Sequence, residues 1–526
     1  MKRPNIVLIL ADDMGYSDIG CFGSEIHTPN IDRLGQEGVR CTQMYNNARC
    51  CPSRACLLTG LHPHQAGVGH MVENKIPYSE YQGYLNDHCV TIAEALHAGG
   101  YSTGMCGKWH VGGNYWGHDK TEVIGMKGYP TPMQRGFQHF YGILEGAGDY
   151  YNPTTLMEDG KWLTPKAEDD FYFTEQITSK ACGMIREFVG QDDPFFLYLS
   201  YTAPHWPLHA REEYIKHYEK TYLFGYEETR KKRYQKLMNL GLLKPGWKLS
   251  ESDEEVHSWD SVEDPAFEAR KMAVYAAQVE EMDAGIGEVL DELEKNNCLD
   301  DTLIMFMSDN GGCAEVLPSG GWIMGCANEK TLGGGSVSIG NKSKRLPGGP
   351  DTYMSYGREW ANVSNTPFRL YKHWIHEGGI STPLILSWKN GVTNSGGICH
   401  SPMHFTDVMA TVLEAAKVPY PQKLGGHEIT PAEGESFLDI TKGDWKRSQP
   451  IFWEHEGNCG MRTERYKLVR KFPQDFELYD MDMDRTEEHD LSAEKPELLA
   501  EMIAEYQKWA DRIGVRPWPE IAQFYR

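Results

Sequence analysis

Asn5-Ile6-Val7-Leu8-Ile9-Leu10-Ala11-Asp12-Asp13 is an unbroken apolar run that ends on two carboxylates. A strand apolar on both faces belongs inside a sheet covered on both sides, which is how parallel sheets are built. The same texture returns downstream. Tyr101 to Cys106, Phe195 to Leu199 and Thr302 to Met307 read as further buried strands, the last running into Ser308-Asp309-Asn310. Thr91 with Glu94 is a capping-box pattern and Gly99-Gly100 a stop, so a helix precedes the strand at Tyr101. Met272, Tyr275, Val279, Met282, Ile286, Val289 and Leu293 fall three or four residues apart and mark one face of a long helix. Alternating helices and strands predict an α/β fold with a large, mostly parallel sheet sandwiched by helices. From about Asp444 the texture changes to short strand-like pieces, Ile451 to Trp453 and Tyr466 to Val469, followed by a helix over Pro496 to Ile513. The expected division is an α/β domain over 1–443 and a small C-terminal α+β subdomain, with a short antiparallel sheet and a helix, over 444–526.

Composition narrows the function. The 526 residues carry 75 acidic against 52 basic side chains, a net charge of −23. Such a chain repels nucleic acid and anionic lipid, so neither is an expected partner. No run approaches the roughly 18 apolar residues of a membrane-spanning helix. Met1-Lys2-Arg3 ahead of the first strand is too short and lacks the cleavage site of a leader, so the chain as written reads as cytoplasmic, or as periplasmic or secreted if a leader was trimmed. Thirteen dispersed cysteines are an odd number and do not frame a disulfide scaffold. Asp309 to Thr366 loses periodicity and is rich in Gly and Ser, as long functional loops are, and Arg211 to Leu243 reads as a charged, solvated helical excursion. Gly100-Tyr101-Ser102-Thr103-Gly104 has the letters of a nucleophile elbow, but here the helix precedes the strand instead of following it.

The chemistry gathers at strand ends. Asp12-Asp13 closes one strand and Asp309-Asn310 another, so four oxygen-bearing side chains can meet at the carboxyl edge of a parallel sheet, where α/β ligands bind. An all-oxygen set suits Ca2+ or Mg2+ rather than Zn2+. In Cys50-Cys51-Pro52-Ser53-Arg54-Ala55-Cys56-Leu57-Leu58-Thr59-Gly60, Pro52 suits the first turn of a helix. Cys50 then lies just outside an N-terminus whose free N–H groups favour an anion, and an activated thiolate is the plain inference.

That segment resembles the C-x-P-S-R-x-x-x-L-T-G signature of type I sulfatases, with every fixed position present. The resemblance extends to Asn5 to Gly15, Gly107-Lys108-Trp109-His110, Pro204-His205, Ser308 to Gly311, Asn365 to Arg369 with Lys372, Glu377-Gly378-Gly379 and Glu477 to Asp480. It therefore spans nearly the whole chain, in the order expected of the arylsulfatase-like bacterial branch. It implies an alkaline-phosphatase-like fold and a sulfatase acting on an aryl sulfate or a sulfated sugar of a glycan. It further implies that a formylglycine-generating maturation enzyme oxidises Cys50 to formylglycine. The hydrate would attack sulfur through one hydroxyl, and the second hydroxyl would expel sulfate from the sulfated enzyme. By the same resemblance Asp12, Asp13, Asp309 and Asn310, with the modified Cys50, surround a divalent cation, Ca2+ preferred and Mg2+ the alternative. Asp309 takes the attacking proton, Arg54 fixes the diol, Lys108 and Lys372 clamp sulfate oxygens, His205 protonates the leaving oxygen and His110 serves as base for the second hydroxyl.

Lys108 and His110 are expected to alternate on one strand, facing the same way. Arg54, Lys108, His110, His205 and Lys372 would form a cationic cluster inside an acidic protein, which suits a small anion. Two rival readings remain at this stage: a phosphomonoesterase or phosphodiesterase of the same superfamily, and a non-catalytic glycan-binding module should Cys50 stay unmodified.

Overall fold

The computed structural model describes residues 3–72, 76–115, 120–191, 193–443 and 445–524. Met1, Lys2 and Asp444, on which two of the readings above fall, lie outside them. The run Asn5–Ala11 is the central strand of an eleven-stranded sheet. From one edge the order is Gly397–Cys399, Val39–Tyr45, Ser381–Ser387, Thr302–Ser308, Asn5–Ala11, Phe195–Ser200, Ser102–Lys108, His139–Ile143, Leu156–Glu158 and Lys161–Trp162, with Met403–His404 also paired to Val39–Tyr45. Asn5–Ala11 is parallel to both neighbours, with Ala11 beside Ser308 and Leu10 beside Ser200. The chain therefore leaves three adjacent strands at one edge, and everything that follows them in sequence is gathered there.

The apolar run is continuous because each face has its own core. Val7, Ile9 and Ala11 pack with the helices Phe173–Val189 and Pro265–Lys295. Ile6, Leu8 and Leu10 pack on the other side with Cys50–Thr59, Ile92–Ala98 and Thr406–Ala416. The capping box is present, Glu94 N–H donating to Thr91 Oγ1 and Thr91 N–H to Glu94 Oε2. Pro265–Lys295 starts from Asp264, whose side chain accepts the Phe267 N–H, and its predicted face is buried. The strand expected from Tyr101 runs instead over Ser102–Lys108. None of the thirteen cysteines is in a disulfide.

Two readings are refined. Arg211 to Leu243 is helical with a solvated charged face, but its main helix, Tyr226–Asn239, has a second face that buries Arg233 completely against Asp18 and Glu25, with Nε donating to Glu25 Oε2 at 3.0 Å. The stretch after Asp309 is not structureless. It contains a small parallel ribbon, Ser338–Ile339 with Thr352–Tyr353, and the helix Arg358–Ser364.

Past the large sheet, Ile451–His455, Asn458–Arg462, Tyr466–Arg470 and Glu477–Asp480 form an antiparallel sheet, and Pro496–Ile513 packs on it through Met502, Tyr506 and Trp509.

One buried carboxyl works against the fold as pH rises. Glu281, 6% exposed, accepts hydrogen bonds from the Tyr172 hydroxyl and the Arg211 N–H. Burial outweighs these bonds and pushes it up to about 8. Its folded-state pKa exceeds the unfolded value of about 4.3, so the folded state binds the extra proton between those limits and loses stability as pH climbs through them. Melting temperature should therefore fall more steeply from pH 5 to pH 8 in the native chain than in Glu281→Gln; parallel curves would contradict this.

Candidate active site

Asp12 and Asp13 leave the central strand, and Asp309 and Asn310 leave its neighbour. Backbone and side chains lock the two turns together. Asp309 N–H donates to Ala11 O at 3.1 Å, Asp13 N–H to Asp309 Oδ1 at 3.2 Å, and Asn310 Nδ2 to Asp13 Oδ1 at 2.6 Å. Asp13 has φ 64°, a left-handed backbone that Asp tolerates better than most residues and that turns its carboxylate back over the sheet edge. All four side chains are buried.

Each carboxylate meets a fixed cation, and Asp12 Oδ1 also lies 3.5 Å from Arg54 Nη2. Lys108 Nζ donates to Asp12 Oδ2 at 2.6 Å, Lys372 Nζ to Asp13 Oδ2 at 2.9 Å, and Arg54 Nε to Asp309 Oδ2 at 2.9 Å. Arg54 Nη1 also donates to Lys108 O and Ser200 Oγ, so the guanidinium spans three strand ends. Burial lifts Asp12 above the ordinary carboxylate value, and burial together with the Asp12 charge lifts Asp309 to about 7. At Asp13 burial is outweighed by His205 and Lys372, and its pKa is lowered.

Cys50 is the first residue of the Cys50–Thr59 helix rather than a residue outside it. Its 2% exposed thiol faces the cluster: a hydrogen bond from Cys51, with the charges of Lys108, His110 and Lys372, holds it well below the ordinary thiol value against the opposing effect of burial. His110 does not share a strand with Lys108. The strand ends at Lys108, and His110 sits at φ 53° with its N–H on Leu144 O, its ring so close to Gly146 that a Cβ there would lie 2.3 Å away. His205 Nδ1 lies 2.7 Å from Trp206 O, and its Nε2 stands 3.3 Å from both Lys372 Nζ and Asp13 Oδ2. Burial lowers His205 to about 4, so at neutral pH Nδ1 donates and Nε2 offers a lone pair.

The structure thus brings together Asp12, Asp13, Cys50, Arg54, Lys108, His110, His205, Asp309, Asn310 and Lys372. The expected surplus of positive charge is corrected: Arg54, Lys108 and Lys372 are balanced by three carboxylates, and His205 is neutral. The donors fit a hard cation. Asp12 Oδ1 and Asn310 Oδ1 are buried oxygens without a hydrogen-bond partner, and donor atoms of Asp12, Asp13 and His205 lie within 4.8 Å of one another. Such buried oxygens suit Ca2+ or Mg2+.

Sequence reasoning missed Ser200, which ends the Phe195–Ser200 strand and donates to Lys108 O; its position at a strand end was the available signal. The aromatic-rich stretch Tyr141 to Asn152 suggests a substrate-specificity element, but not that the Tyr150 hydroxyl, 2.8 Å from both Thr202 O and His205 O, fixes the histidine loop. No signal marked Glu315, which joins Arg49 at 2.9 Å to Trp206 Nε1 at 2.9 Å.

The Sulfatase family model matches residues 4–418. This chain belongs to the sulfatase family. A second model, the C-terminal part of N-sulphoglucosamine sulphohydrolase, matches residues 368–509 of this sulfatase. An uncharacterized sulfatase of Schizosaccharomyces pombe is 33% identical over 99% of this chain and 95% of its own length. The arylsulfatase of Klebsiella aerogenes is also 33% identical, over 85% of this chain and 93% of its own. Among solved structures, that of Ps i-CgsB is 25% identical, with a TM-score of 0.67 over 97% of this chain and 93% of that one. The sulfatase is accordingly a sulfuric ester hydrolase. Among the described residues no helix is long and apolar enough to cross a membrane.

Proposed function

We propose that this sulfatase cleaves the sulfate monoester of an aryl group or of a glycan sugar at Cys50, matured to formylglycine, beside a divalent cation held by Asp12, Asp13, Asp309 and Asn310. The observation that carries the reading is the convergence at one sheet edge of the Cys50 side chain, three cations and the oxygens Asp12 Oδ1 and Asn310 Oδ1, neither of which is hydrogen-bonded. Formylglycine, as its hydrate, supplies the attacking hydroxyl. The cation, Ca2+ by preference and Mg2+ as the alternative, supplies polarisation of a sulfate oxygen.

The chain's own residues do the rest. Asp309, fixed by Arg54 Nε at 2.9 Å, is the carboxylate placed to take the attacking proton. Arg54 holds Asp309 and the start of the Cys50 helix in register. Lys108 and Lys372 are the donors available to sulfate oxygens once a cation takes over Asp12 and Asp13. Lys372 delivers a proton to His205 Nε2, which stands ready for the leaving oxygen, while Trp206 O fixes the ring. His110 is the base for the second hydroxyl. The catalytic domain is assigned to 1–443 and the C-terminal subdomain to 444–526.

Trp206 packs, with tilted rings, against His205 at 4.4 Å and against Trp322 at 5.9 Å, and Trp322 is 53% exposed. An aromatic wall beside the acid suits an aryl or sugar ring. Two structural neighbours that share the fold are described in complex with k-i-k-neocarrahexaose and with D-glucosamine-2-N,6-O-disulfate. The Gly-rich loop contributes Trp322 to this wall; the Arg211 to Leu243 segment contributes neither ring, its main helix being packed on Asp18 and Glu25 through Arg233.

Paired assays test the reading. An aryl sulfate should turn over far faster than the matching aryl phosphate; the opposite order would favour a phosphatase, and no turnover a binding module. In the same assays His205→Ala should slow sugar sulfates by about 10²- to 10⁴-fold, and activated aryl sulfates much less, because only the poor leaving group needs the proton. Equal slowing would remove the acid role.

A further inference from the structure

A second convergence of metal-binding donors lies beside Lys372, and the sulfate chemistry does not use it. The strands Ile451–His455 and Asn458–Arg462 are joined by the two-residue turn Glu456-Gly457, with φ 54° and 79°. Such turns favour Asn, Asp or Gly at the first position. Glutamate there keeps a left-handed backbone and aims its carboxylate among three imidazoles. His373 Nδ1 lies 3.4 Å from Oε2, and His455 Nε2 and His70 Nε2 lie 3.5 and 3.2 Å from Oε1.

Donor atoms of His373, His455 and Glu456 all fall within 4.8 Å of one another. Ligands at about 2.0–2.1 Å from a tetrahedral zinc ion are themselves about 3.3 Å apart, close to the 3.4 and 3.5 Å that separate His373 and His455 from the Glu456 carboxylate. His455 is wholly buried and neither of its ring nitrogens makes a hydrogen bond, which is unfavourable unless another group takes the lone pair. Two imidazoles and one carboxylate form a borderline donor set, suited to Zn2+ rather than to Ca2+ or Mg2+.

The surroundings separate ligands from supports. His70 Nδ1 accepts the Met71 N–H, so the proton of the neutral ring sits on Nε2, which faces the carboxylate and is not available to a metal. Its ring stacks on Trp518 at 5.1 Å, placing it to orient Glu456. Binding through His373 Nδ1 puts that proton on Nε2, in place of the 3.3 Å contact from Asn458 Nδ2, which keeps its bond to His455 O. Arg49 directs its charge to Glu315 at 2.9 Å, and the His373 side chain, 27% exposed, gives an entry path.

We propose that His373, His455 and Glu456 form a zinc site, separate from the oxygen-rich edge at Asp12 and Asp309, with its fourth position open to water. It would tie the C-terminal hairpin to the residue next to Lys372.

The test is metal binding by the full chain, stripped by chelation and reloaded with excess Ca2+, so the result does not depend on turnover. Calorimetric titration with Zn2+ should show one equivalent bound, and Co2+ at the same site should give the visible bands of a four-coordinate, nitrogen-containing centre. His455→Ala and Glu456→Gln should each weaken binding by more than about 100-fold, and His70→Asn by about 10- to 100-fold. Glu456→Gln, close in shape to the native residue, decides the matter if His455→Ala does not fold. No Zn2+ uptake by the native chain, or undiminished uptake in folded Glu456→Gln, would overturn the proposal.

Discussion

Cys50→Ala should leave the fold intact and remove sulfate ester hydrolysis by about 10⁴-fold or more, the scale on which losing the nucleophile of a covalent mechanism is felt. The side chain is small, 2% exposed and begins a helix whose packing rests on Cys51, Ala55, Leu57 and Leu58, so truncation costs little stability. The change leaves Arg54, Lys108 and Lys372, and the oxygens of Asp12, Asp13, Asp309 and Asn310, in place. Substrate binding should therefore survive the loss of turnover, and an unreacted sulfate ester should still compete with the product sulfate. Kinetics with an aryl sulfate and thermal unfolding of the same sample check both halves. Activity within tenfold of the native enzyme would mean that the nucleophile lies elsewhere.

The second large effect concerns stability. Lys467, on the third strand of the C-terminal sheet, is fully buried and donates to Glu377 Oε1 at 2.9 Å and Glu487 Oε1 at 2.7 Å. Glu377 also accepts from Arg485 Nε at 3.1 Å and from the Tyr45 hydroxyl at 3.0 Å. Burial alone would raise the Glu377 pKa, but Lys467, Arg485 and Arg462 override it and hold it at about 2. The folded value lies below the unfolded one, so this group stabilises the fold above about pH 4.5, and that stabilisation is lost as pH falls towards 2. Lys467→Met leaves two buried carboxylates sharing too few cations, and breaking a buried ion pair from one side costs about 3–5 kcal/mol. Denaturant or thermal unfolding should show that loss at neutral pH. Adding Glu487→Gln should restore part of it, because the orphaned charge is gone. A loss below about 1 kcal/mol would show that Arg485 alone neutralises the pair.

The sequence made some of this legible and hid the rest for identifiable reasons. The central strand and the long helix carry apolar patterns that only one environment satisfies, so Asn5–Ala11 and Pro265–Lys295 could be read locally. Asp12, Asp13, Asp309 and Asn310 were accessible because a carboxylate at the end of a buried parallel strand has one place to go. His205 and Lys372 have no local signature; a histidine after proline and a lysine in a loop look ordinary until a long motif gathers them. Arg233 and Lys467 were invisible because their partners lie far off in the chain, Asp18 and Glu25 for one and Glu377 for the other. Charged stretches read as solvated when the opposite charge cannot be seen. The same separation concealed the meeting of His373 with His455 and Glu456, which only the hairpin turn brings about.

The most direct test is the mass of the peptide spanning Arg49 to Arg54, read on enzyme expressed with and without a formylglycine-generating partner and set against aryl sulfate turnover of the same preparations. The account predicts that the aldehyde replaces the Cys50 thiol in the active preparation and that turnover rises in proportion to the aldehyde fraction. Full turnover by enzyme whose Cys50 is still a thiol would contradict it.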